Sequence, residues 1–248
     1  MDNRVKILGV PIDMVDADSA FARFLEIMER AECEMIVTPN SEIVVNAGKD
    51  SELLSLIENA SLIIPDGIGL VYASKIKGYG LQERVTGIDF LSQILEYCAH
   101  EGKGVYLLGS KPASEEKASV ADAAAEEMNK KYPGLNIVGT YHGYFKSEEE
   151  AAIVSEINNS GAEFLCVALG SPKQEKFIYN HRNEFEHVRA AIGVGGSLDV
   201  WAGNVKRAPE FYQKHGLEWF YRLKQEPSRW KRVLALPIFM LKVIFSRK

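Results

Sequence analysis

The apolar residues of the chain fall into short continuous runs, and amphipathic segments separate these runs. A continuous apolar run of strand length is typical of a parallel strand that is buried on both faces. In contrast, Phe21, Phe24, Leu25 and Met28 repeat at the spacing of one helical face, and residues 111–131 form an Ala-, Glu- and Lys-rich helical pattern. The predicted strands are residues 5–10, 35–37, 61–64, 104–108, 136–141, 164–169 and 188–194. This alternation predicts an α/β fold, Rossmann-like, with helices on both faces of a mostly parallel sheet.

The third predicted strand ends abruptly at Pro65-Asp66-Gly67. Proline cannot continue a strand ladder, and glycine permits backbone angles that a Cβ would forbid. The turn therefore presents the Asp66 carboxylate at the carboxyl edge of the sheet, where ligands of α/β proteins bind. Asp66 is our candidate acid or base, and the alternative is that it caps the following helix or a turn.

Three other predicted strands run through glycine towards a helix, at Gly109, Gly170 and Gly195-Gly196. Such turns let backbone N–H groups and a helix amino terminus approach a phosphate closely. One such turn is typical of an ordinary connector, but three on one sheet edge favour a phosphorylated ligand. The sequence contains neither GxGxxG nor GxxxxGK[ST], so a nucleotide-dependent oxidoreductase and a P-loop are both disfavoured.

The 248 residues carry a formal net charge of −5, which is distributed unevenly. Residues 222–248 hold eight basic side chains and one acid, a net +7, so the rest of the chain carries −12. Residues 233–245 are apolar apart from Lys242, but these 13 residues fall short of the roughly 20 that a membrane span needs. We therefore expect residues 1–216 to form the α/β domain and residues 217–248 a helical appendage that binds an anionic membrane surface. The alternative is a helix that packs on the core and exposes a basic face.

The residues that most often hold metals show no metal-site pattern. The five histidines lack the spacing of a zinc site, and Cys33, Cys98 and Cys166 are far apart in apolar segments, as in a reduced cytoplasmic protein. An Asp-x-Asp string, which can anchor a divalent metal, occurs at Asp16-Ala17-Asp18, where helix capping is the simpler role. We therefore expect neither a metal nor another cofactor.

Seven short segments of the chain form a combination that is specific, although no single segment is. They are Thr38-Pro39-Asn40, Pro65-Asp66-Gly67, Arg84-Val85-Thr86-Gly87-Ile88-Asp89, Leu107-Leu108-Gly109, His142-Gly143-Tyr144-Phe145, residues 168–175 and residues 193–203. In this order they resemble the WecG/TagA/CpsF glycosyltransferase family, and the resemblance covers almost the whole chain.

The resemblance implies an inverting glycosyltransferase that acts at the inner face of the cell membrane. The segments are most similar to the teichoic-acid branch, which moves N-acetylmannosamine from UDP-N-acetylmannosamine to the 4-hydroxyl of N-acetylglucosamine on undecaprenyl diphosphate. A UDP-glucose or UDP-N-acetylmannosaminuronic acid donor, used for capsule or surface polysaccharide, is left open. Outside this class, the alternative is a non-catalytic membrane adaptor that binds through the basic appendage.

The resemblance also implies roles for individual residues. Asp66 matches the base, and Arg84 matches an arginine suited to balance charge on the leaving UDP. Arg222, Arg229 and Arg232 match arginines that bind the lipid diphosphate. The expected substrate contacts are Thr38, Asn40, Arg84, Gly109, Gly143, Tyr144, Gly170, Gln174, Gly195, Gly196 and Asp199. For the polar side chains in this set, local turn and cap bonding is the alternative.

The implied partners are the UDP-sugar, the lipid-linked acceptor and the anionic membrane, with no nucleic acid. An apolar tail exposed away from lipid would also favour a homodimer.

Overall fold

The computed structural model of the protein describes residues 4–81 and 83–246. Two basic residues of the expected appendage, Arg247 and Lys248, lie outside the described residues. The strands are β1 (Arg4–Ile7), β2 (Val10–Asp13), β3 (Glu34–Val37), β4 (Leu62–Ile63), β5 (Gly104–Gly109), β6 (Asn136–Tyr141), β7 (Phe164–Ala168) and β8 (Ala190–Gly193). The helices are α1 (Ala17–Met28), α2 (Ser41–Ala47), α3 (Ser51–Glu58), α4 (Ile68–Lys77), α5 (Gly87–Glu101), α6 (Val120–Lys131), α7 (Glu150–Ser160), α8 (Lys173–His181), α9 (Ser197–Trp201), α10 (Glu210–Lys214), α11 (Glu218–Gln225), α12 (Trp230–Val233) and α13 (Ala235–Phe245). Short 3₁₀ helices span Ser147–Glu149 and Pro227–Arg229.

Strands β3 to β8 form a parallel sheet in the order β4-β3-β8-β7-β5-β6. Successive side chains of a strand point to opposite faces of a sheet. In β7, Leu165 and Val167 therefore pack into one core, whereas Phe164 and Cys166 pack into the other. Helices α2, α3, α4, α7, α8 and α13 contribute to the first core, and α1, α5, α6 and α9 contribute to the second. The predicted Rossmann-like α/β fold is confirmed.

The parallel arrangement determines where the sequence motifs meet. Because these strands run in one direction, their carboxyl ends share one edge of the sheet. The ends of β3 to β8 and the turns that follow them contain six of the seven motif segments, and the seventh, residues 84–89, leads into α5. Segments far apart in the sequence therefore lie together at this edge.

The predicted first strand, residues 5–10, is wrong. The chain reverses at Leu8-Gly9, where the φ angles are 51° and 87°, and β1 and β2 pair antiparallel as a separate hairpin. Two adjacent residues with positive φ form the tight turn that matches the twist of a β-hairpin. This turn divides what the apolar pattern suggested was one strand.

The hairpin ends in Asp13, a fully buried carboxylate that connects it to the main sheet. Its oxygens accept hydrogen bonds from the Ile63 N–H at 2.7 Å and from Arg4 Nε at 3.0 Å, and Arg23 forms an ion pair with it at 2.8 Å. A buried charge is tolerated when it is paired and hydrogen-bonded in this way. Asp13 thereby fixes β4, the strand that leads to Asp66.

The predicted helix at residues 111–131 begins later, at Val120. Ser119 caps this helix, and its side chain accepts a hydrogen bond from the Asp122 N–H at 3.1 Å. A serine at the amino cap satisfies a backbone donor that would otherwise have no partner in the helix. Residues 111–118 therefore precede the helix as an exposed segment.

The C-terminal helix α13 packs along α2 and α4. Ala235, Phe239 and Val243 are spaced by four residues and are buried, whereas Ile238 and Leu241 on the other face are exposed. Helix α13 therefore has one face in the core and one face open to solvent. The division of the chain into a domain of residues 1–216 and an appendage of residues 217–248 stays a prediction. Within the part of the chain that the structure describes, none of the helices has the length and apolar character needed to cross a bilayer.

We expect Phe239→Ala to lower the free energy of unfolding by about 3–5 kcal/mol, because it removes a large, fully buried side chain from the junction of α13 with the body. Ile244→Ala, on the exposed face of the same helix, is the matched control and should cost about 0.5 kcal/mol or less. Urea unfolding followed by circular dichroism measures both. Small and equal effects would contradict the packing of α13 on the body.

Candidate active site

A cavity of about 1010 Å³ lies at the carboxyl edge of the sheet. It is lined by the turns that follow β3 to β8, by the segment that leads into α5 and by residues from α11 to α13. All the predicted site residues except Gly109 line this cavity. The fold thus brings together the motif turns and the basic tail, which the sequence places far apart.

Asp66 lies in the turn between β4 and α4, and its backbone N–H donates to the Pro39 carbonyl at 3.0 Å. Gly67, with a φ of 110°, is the amino cap of α4, and among the described residues no side chain caps that helix. The alternative role of Asp66 as a helix cap is therefore wrong. Its carboxylate lines the cavity instead.

Burial raises the pKa of Asp66 to about 6, because a carboxylate in the cavity wall loses hydration. The positive charges of Arg222 and Arg84 oppose this rise, and the negative charge of Glu218 adds to it. A hydrogen bond from the Gly87 N–H also favours the ionised form. Asp66 is therefore a stronger base than an ordinary aspartate, yet it is mostly ionised at neutral pH.

Arg84 lies beside Asp66 and pairs with a carboxylate from the tail. Its Nη1 atom is 2.6 Å from Oε2 of Glu218, and each of the two side chains is only 16% exposed. Glu218 begins α11, so the ion pair joins the tail to the turn that precedes α5. An arginine has five N–H donors, so Arg84 retains donors with the geometry to bind a phosphate.

Asn40 and Thr38 follow β3 and bond locally as well as lining the cavity. Asn40 caps α2, since its Oδ1 accepts hydrogen bonds from the N–H groups of Glu42 and Ile43 at 2.9 and 3.1 Å. The Thr38 hydroxyl donates to the Gly193 carbonyl at 3.4 Å. The local bonding considered as the alternative is therefore present, and substrate contact by these two side chains stays a prediction.

Gln174 is almost fully buried, at 4% exposure, and braces two of the turns. Its Oε1 accepts a hydrogen bond from the Gly195 N–H at 3.1 Å, and its Nε2 donates to Glu175 at 2.9 Å. The amide therefore joins the turn after β7 to the turn after β8. Burial raises the pKa of the Glu175 carboxyl, whereas the Gln174 hydrogen bond opposes that rise.

The glycine turns contribute backbone to the cavity. The lining glycines include Gly143, Gly170, Gly195 and Gly196. Gly170 and Gly195 have positive φ angles of 75° and 49°, which most side chains would strain. Gly109 differs, because a Cβ there would come within 2.5 Å of the Ala168 backbone, so its structural role is the close approach of β5 and β7.

Tyr144 and Asp199 lie on the same side of the cavity as these turns. The Tyr144 side chain is 66% exposed, so its ring is accessible from solvent. Asp199 lies in the first turn of α9 and accepts a hydrogen bond from the Ser110 hydroxyl at 3.5 Å. Their expected contacts with the substrate stay predictions.

The three tail arginines all line the cavity. Arg222 is close enough to Asp66 to lower its pKa, Arg229 forms an ion pair with Glu226, and the Nε of Arg232 is 3.0 Å from both carboxylate oxygens of Glu42. Two of these arginines therefore pair with carboxylates, and one of those carboxylates, Glu42, also lines the cavity. Their predicted contact with a lipid diphosphate stays a prediction.

Sequence reasoning missed several charged residues of the cavity. Lys111, Lys146 and Lys173 each follow a predicted glycine motif by a few residues, so a basic residue after the turn was a usable signal. Glu42 and Glu218 carried no such signal, because their partners are distant in the sequence.

Asp16-Ala17-Asp18 has the capping role that was expected. Asp16 caps α1, and its carboxylate accepts hydrogen bonds from the Ser19 hydroxyl and, at 2.8 Å, from the Ser19 N–H. The hydroxyl first and then the N–H lower the pKa of Asp16. Over residues 4–81 and 83–246, the structure contains no group of three or more His, Cys, Asp or Glu side chains that could hold a metal ion.

Comparison of the sequence with known proteins identifies the family of the chain. The sequence pattern of the glycosyl transferase WecG/TagA/CpsF family matches residues 5–248. The chain belongs to the WecG/TagA/CpsF glycosyltransferase family. The family is one of glycosyltransferases, and not of nucleotide-dependent oxidoreductases.

Three relatives within the WecG/TagA/CpsF family carry the name N-acetylglucosaminyldiphosphoundecaprenol N-acetyl-β-D-mannosaminyltransferase. The protein from Bacillus spizizenii is 36% identical over 94% of this chain and 88% of its own length. The protein from Bacillus subtilis strain 168 is 36% identical, and that from Staphylococcus aureus strain MW2 is 37% identical, each over 86% of this chain and 80% of its own length.

Proposed function

We propose that the protein transfers N-acetylmannosamine from UDP-N-acetylmannosamine to the 4-hydroxyl of N-acetylglucosamine on undecaprenyl diphosphate, with inversion, in the synthesis of the teichoic acid linkage unit. The observation that carries the proposal is the place of Asp66, whose carboxylate lines a large cavity together with Arg84 and Arg222. Burial there raises the pKa of Asp66 to about 6. The names of the relatives support the choice of sugar and acceptor.

Asp66 is the base of the proposed reaction. The acceptor 4-oxygen attacks the anomeric carbon as the bond from that carbon to the UDP oxygen breaks, and the sugar inverts. The ionised Asp66 takes the hydroxyl proton during the attack and releases it to solvent afterwards. The products are the lipid-linked disaccharide and UDP, so one bond forms, one breaks and the proton is accounted for.

Arg84 and the basic residues of the glycine turns balance the charge on the departing UDP. Negative charge grows on the β-phosphate as the bond to the sugar breaks, and donors fixed before the reaction stabilise it most effectively. Arg84 can bind phosphate oxygens through two N–H groups, and Lys111 and Lys173 line the same cavity. These side chains supply the positive charge that departure of a diphosphate requires.

The tail arginines are the proposed contacts for the acceptor. Arg222, Arg229 and Arg232 bring positive charge from the C-terminal helices to the cavity, and the Arg229 guanidinium lies near Gly196. A lipid diphosphate carries two negative charges on adjacent phosphates, more than either the Glu226 or the Glu42 carboxylate alone, so it can replace each of them as the partner of an arginine. The acceptor hydroxyl would then lie between the tail and Asp66.

The exposed face of α13 is the proposed contact with the membrane. Ile238, Leu241, Ile244 and Phe245 are between 44% and 81% exposed, and Lys242 is exposed on the same helix. The neighbouring helix α4 adds exposed apolar and basic side chains, namely Tyr72, Lys75 and Ile76. Apolar side chains with basic neighbours suit the interface of an anionic bilayer, where the lipid acceptor is anchored. We therefore propose that the enzyme works on the inner face of the cell membrane.

We expect Asp66→Asn to lower turnover of UDP-N-acetylmannosamine by about 10²–10⁴-fold, because the amide keeps the shape of the side chain but cannot accept the proton. In the wild-type enzyme, kcat/KM should rise with pH through about 6, as Asp66 loses its proton, and then level off. The variant should lose this acidic limb. UDP release, measured from pH 5 to pH 8 with a lipid-diphosphate N-acetylglucosamine acceptor, follows both effects.

Isothermal titration with UDP is the control, since Asp66→Asn should still bind the nucleotide. Near-normal turnover by a folded Asp66→Asn variant would remove Asp66 from the mechanism. A panel of UDP-glucose and UDP-N-acetylmannosaminuronic acid tests the sugar, because preferred turnover of either would overturn the proposed donor.

We expect Leu241→Glu to weaken binding to phosphatidylglycerol vesicles by about 10-fold or more, because a charge replaces an apolar side chain that would enter the interface. Wild-type binding should weaken as NaCl is added, since the basic residues contribute electrostatically. Ala152→Glu, an exposed position on α7, is the matched control and should bind as the wild type does. Flotation assays measure the bound fraction.

Vesicle binding that is insensitive to both salt and Leu241→Glu would contradict the membrane face. A dimer in sedimentation velocity that Leu241→Glu dissociates, without an effect on vesicle binding, would assign the same face to the predicted homodimer.

A further inference from the structure

Glu218 is a carboxylate that the tail contributes to the cavity, and it lies among the groups proposed to react. It forms the 2.6 Å ion pair with Arg84, and its charge acts on Asp66. The pair is well shielded, since both side chains are 16% exposed. An ion pair at such a site contributes more to local geometry and electrostatics than an exposed pair does.

We propose that Glu218 is a positioning residue for glycosyl transfer, which holds the Arg84 guanidinium by one edge so that its remaining N–H groups face the diphosphate. The inference rests on the proposed function of Asp66 and Arg84. A guanidinium on a long side chain has many conformations, and a fixed carboxylate selects one of them before the substrate binds. Charge balance on the leaving UDP is most effective when the donor is already in place.

Glu218 also balances charge around the base. The charged groups that act on Asp66 are Arg222 and Arg84, which lower its pKa, and Glu218, which raises it. Loss of the Glu218 charge would leave both arginines without this counter-charge, so the pKa of Asp66 would fall. A lower pKa makes a weaker base, and proton removal from the acceptor hydroxyl would slow.

A second ion pair joins the tail to the body but lies farther from the reaction. Arg232 is 56% exposed and Glu42 is 27% exposed, and neither is among the charges that shift the pKa of Asp66. Glu42→Gln therefore breaks one tail-to-body ion pair and leaves the Arg84 pair intact. This variant separates loosening of the tail from the specific effect of Glu218.

The test compares Glu218→Gln with Glu42→Gln in the full-length enzyme, with the donor that the wild type turns over best. We expect Glu218→Gln to lower kcat by about 10–10²-fold, because Arg84 and the base are both affected. The dissociation constant for UDP should change by about 3-fold or less, since the glycine turns still bind the nucleotide. The acidic limb of the pH–kcat/KM profile should move to lower pH in Glu218→Gln and stay in place in Glu42→Gln.

An unmoved limb with kcat within about 2-fold of wild type would overturn the proposal, as would equal shifts of the limb in both variants. Equal shifts would assign the effect to loosening of the tail. Failure of the proposed function is distinguishable from these outcomes. It would appear in the wild type, as turnover of another donor or as an acidic limb that Asp66→Asn does not remove.

Discussion

The burial of the Asp66 charge beside Arg84, Arg222 and Glu218 is the constraint on which the site depends. The ordinary pKa of an aspartate is about 3.9, whereas burial in the folded protein raises the pKa of Asp66 to about 6. Between these values the folded state binds more protons than the unfolded state, so stability falls as pH rises from about 4 to about 6 and stays lower above that range. The protein therefore loses stability at neutral pH through the same carboxylate that we propose as its base.

The fold offsets this cost by joining two parts of the chain. The sheet edge contributes Asp66 and Arg84, and the tail contributes Arg222 and Glu218. Burial of Phe239 against the body holds the tail in position, because a large apolar side chain contributes several kcal/mol when it leaves water. The opposite face of α13 is exposed and is the face that we propose for the contact with lipid.

The local sequence was sufficient to predict features that depend on neighbouring residues. Continuous apolar runs predicted the parallel sheet, and the break at Pro65-Asp66-Gly67 predicted an aspartate at its carboxyl edge, because strand and turn propensities are local. The turn at Leu8-Gly9 was missed, since it interrupts one apolar run without a proline or an Asn-Gly signal. The Arg84–Glu218 pair could not be predicted, because only the packed tail brings these charges together. The raised pKa of Asp66 likewise depends on burial, which a turn sequence does not reveal.

The pKa of Asp66 in the free protein is the quantity that tests its proposed role as the base most directly. Carbon-13 NMR of protein labelled at aspartate carboxyl carbons can follow the titration of each side chain, and the resonance lost in Asp66→Asn identifies Asp66. We predict that this carboxyl titrates with a pKa of about 6 in the full-length protein. Titration near the ordinary aspartate value of about 3.9 would contradict it, because Asp66 would then be neither desolvated nor strengthened as a base.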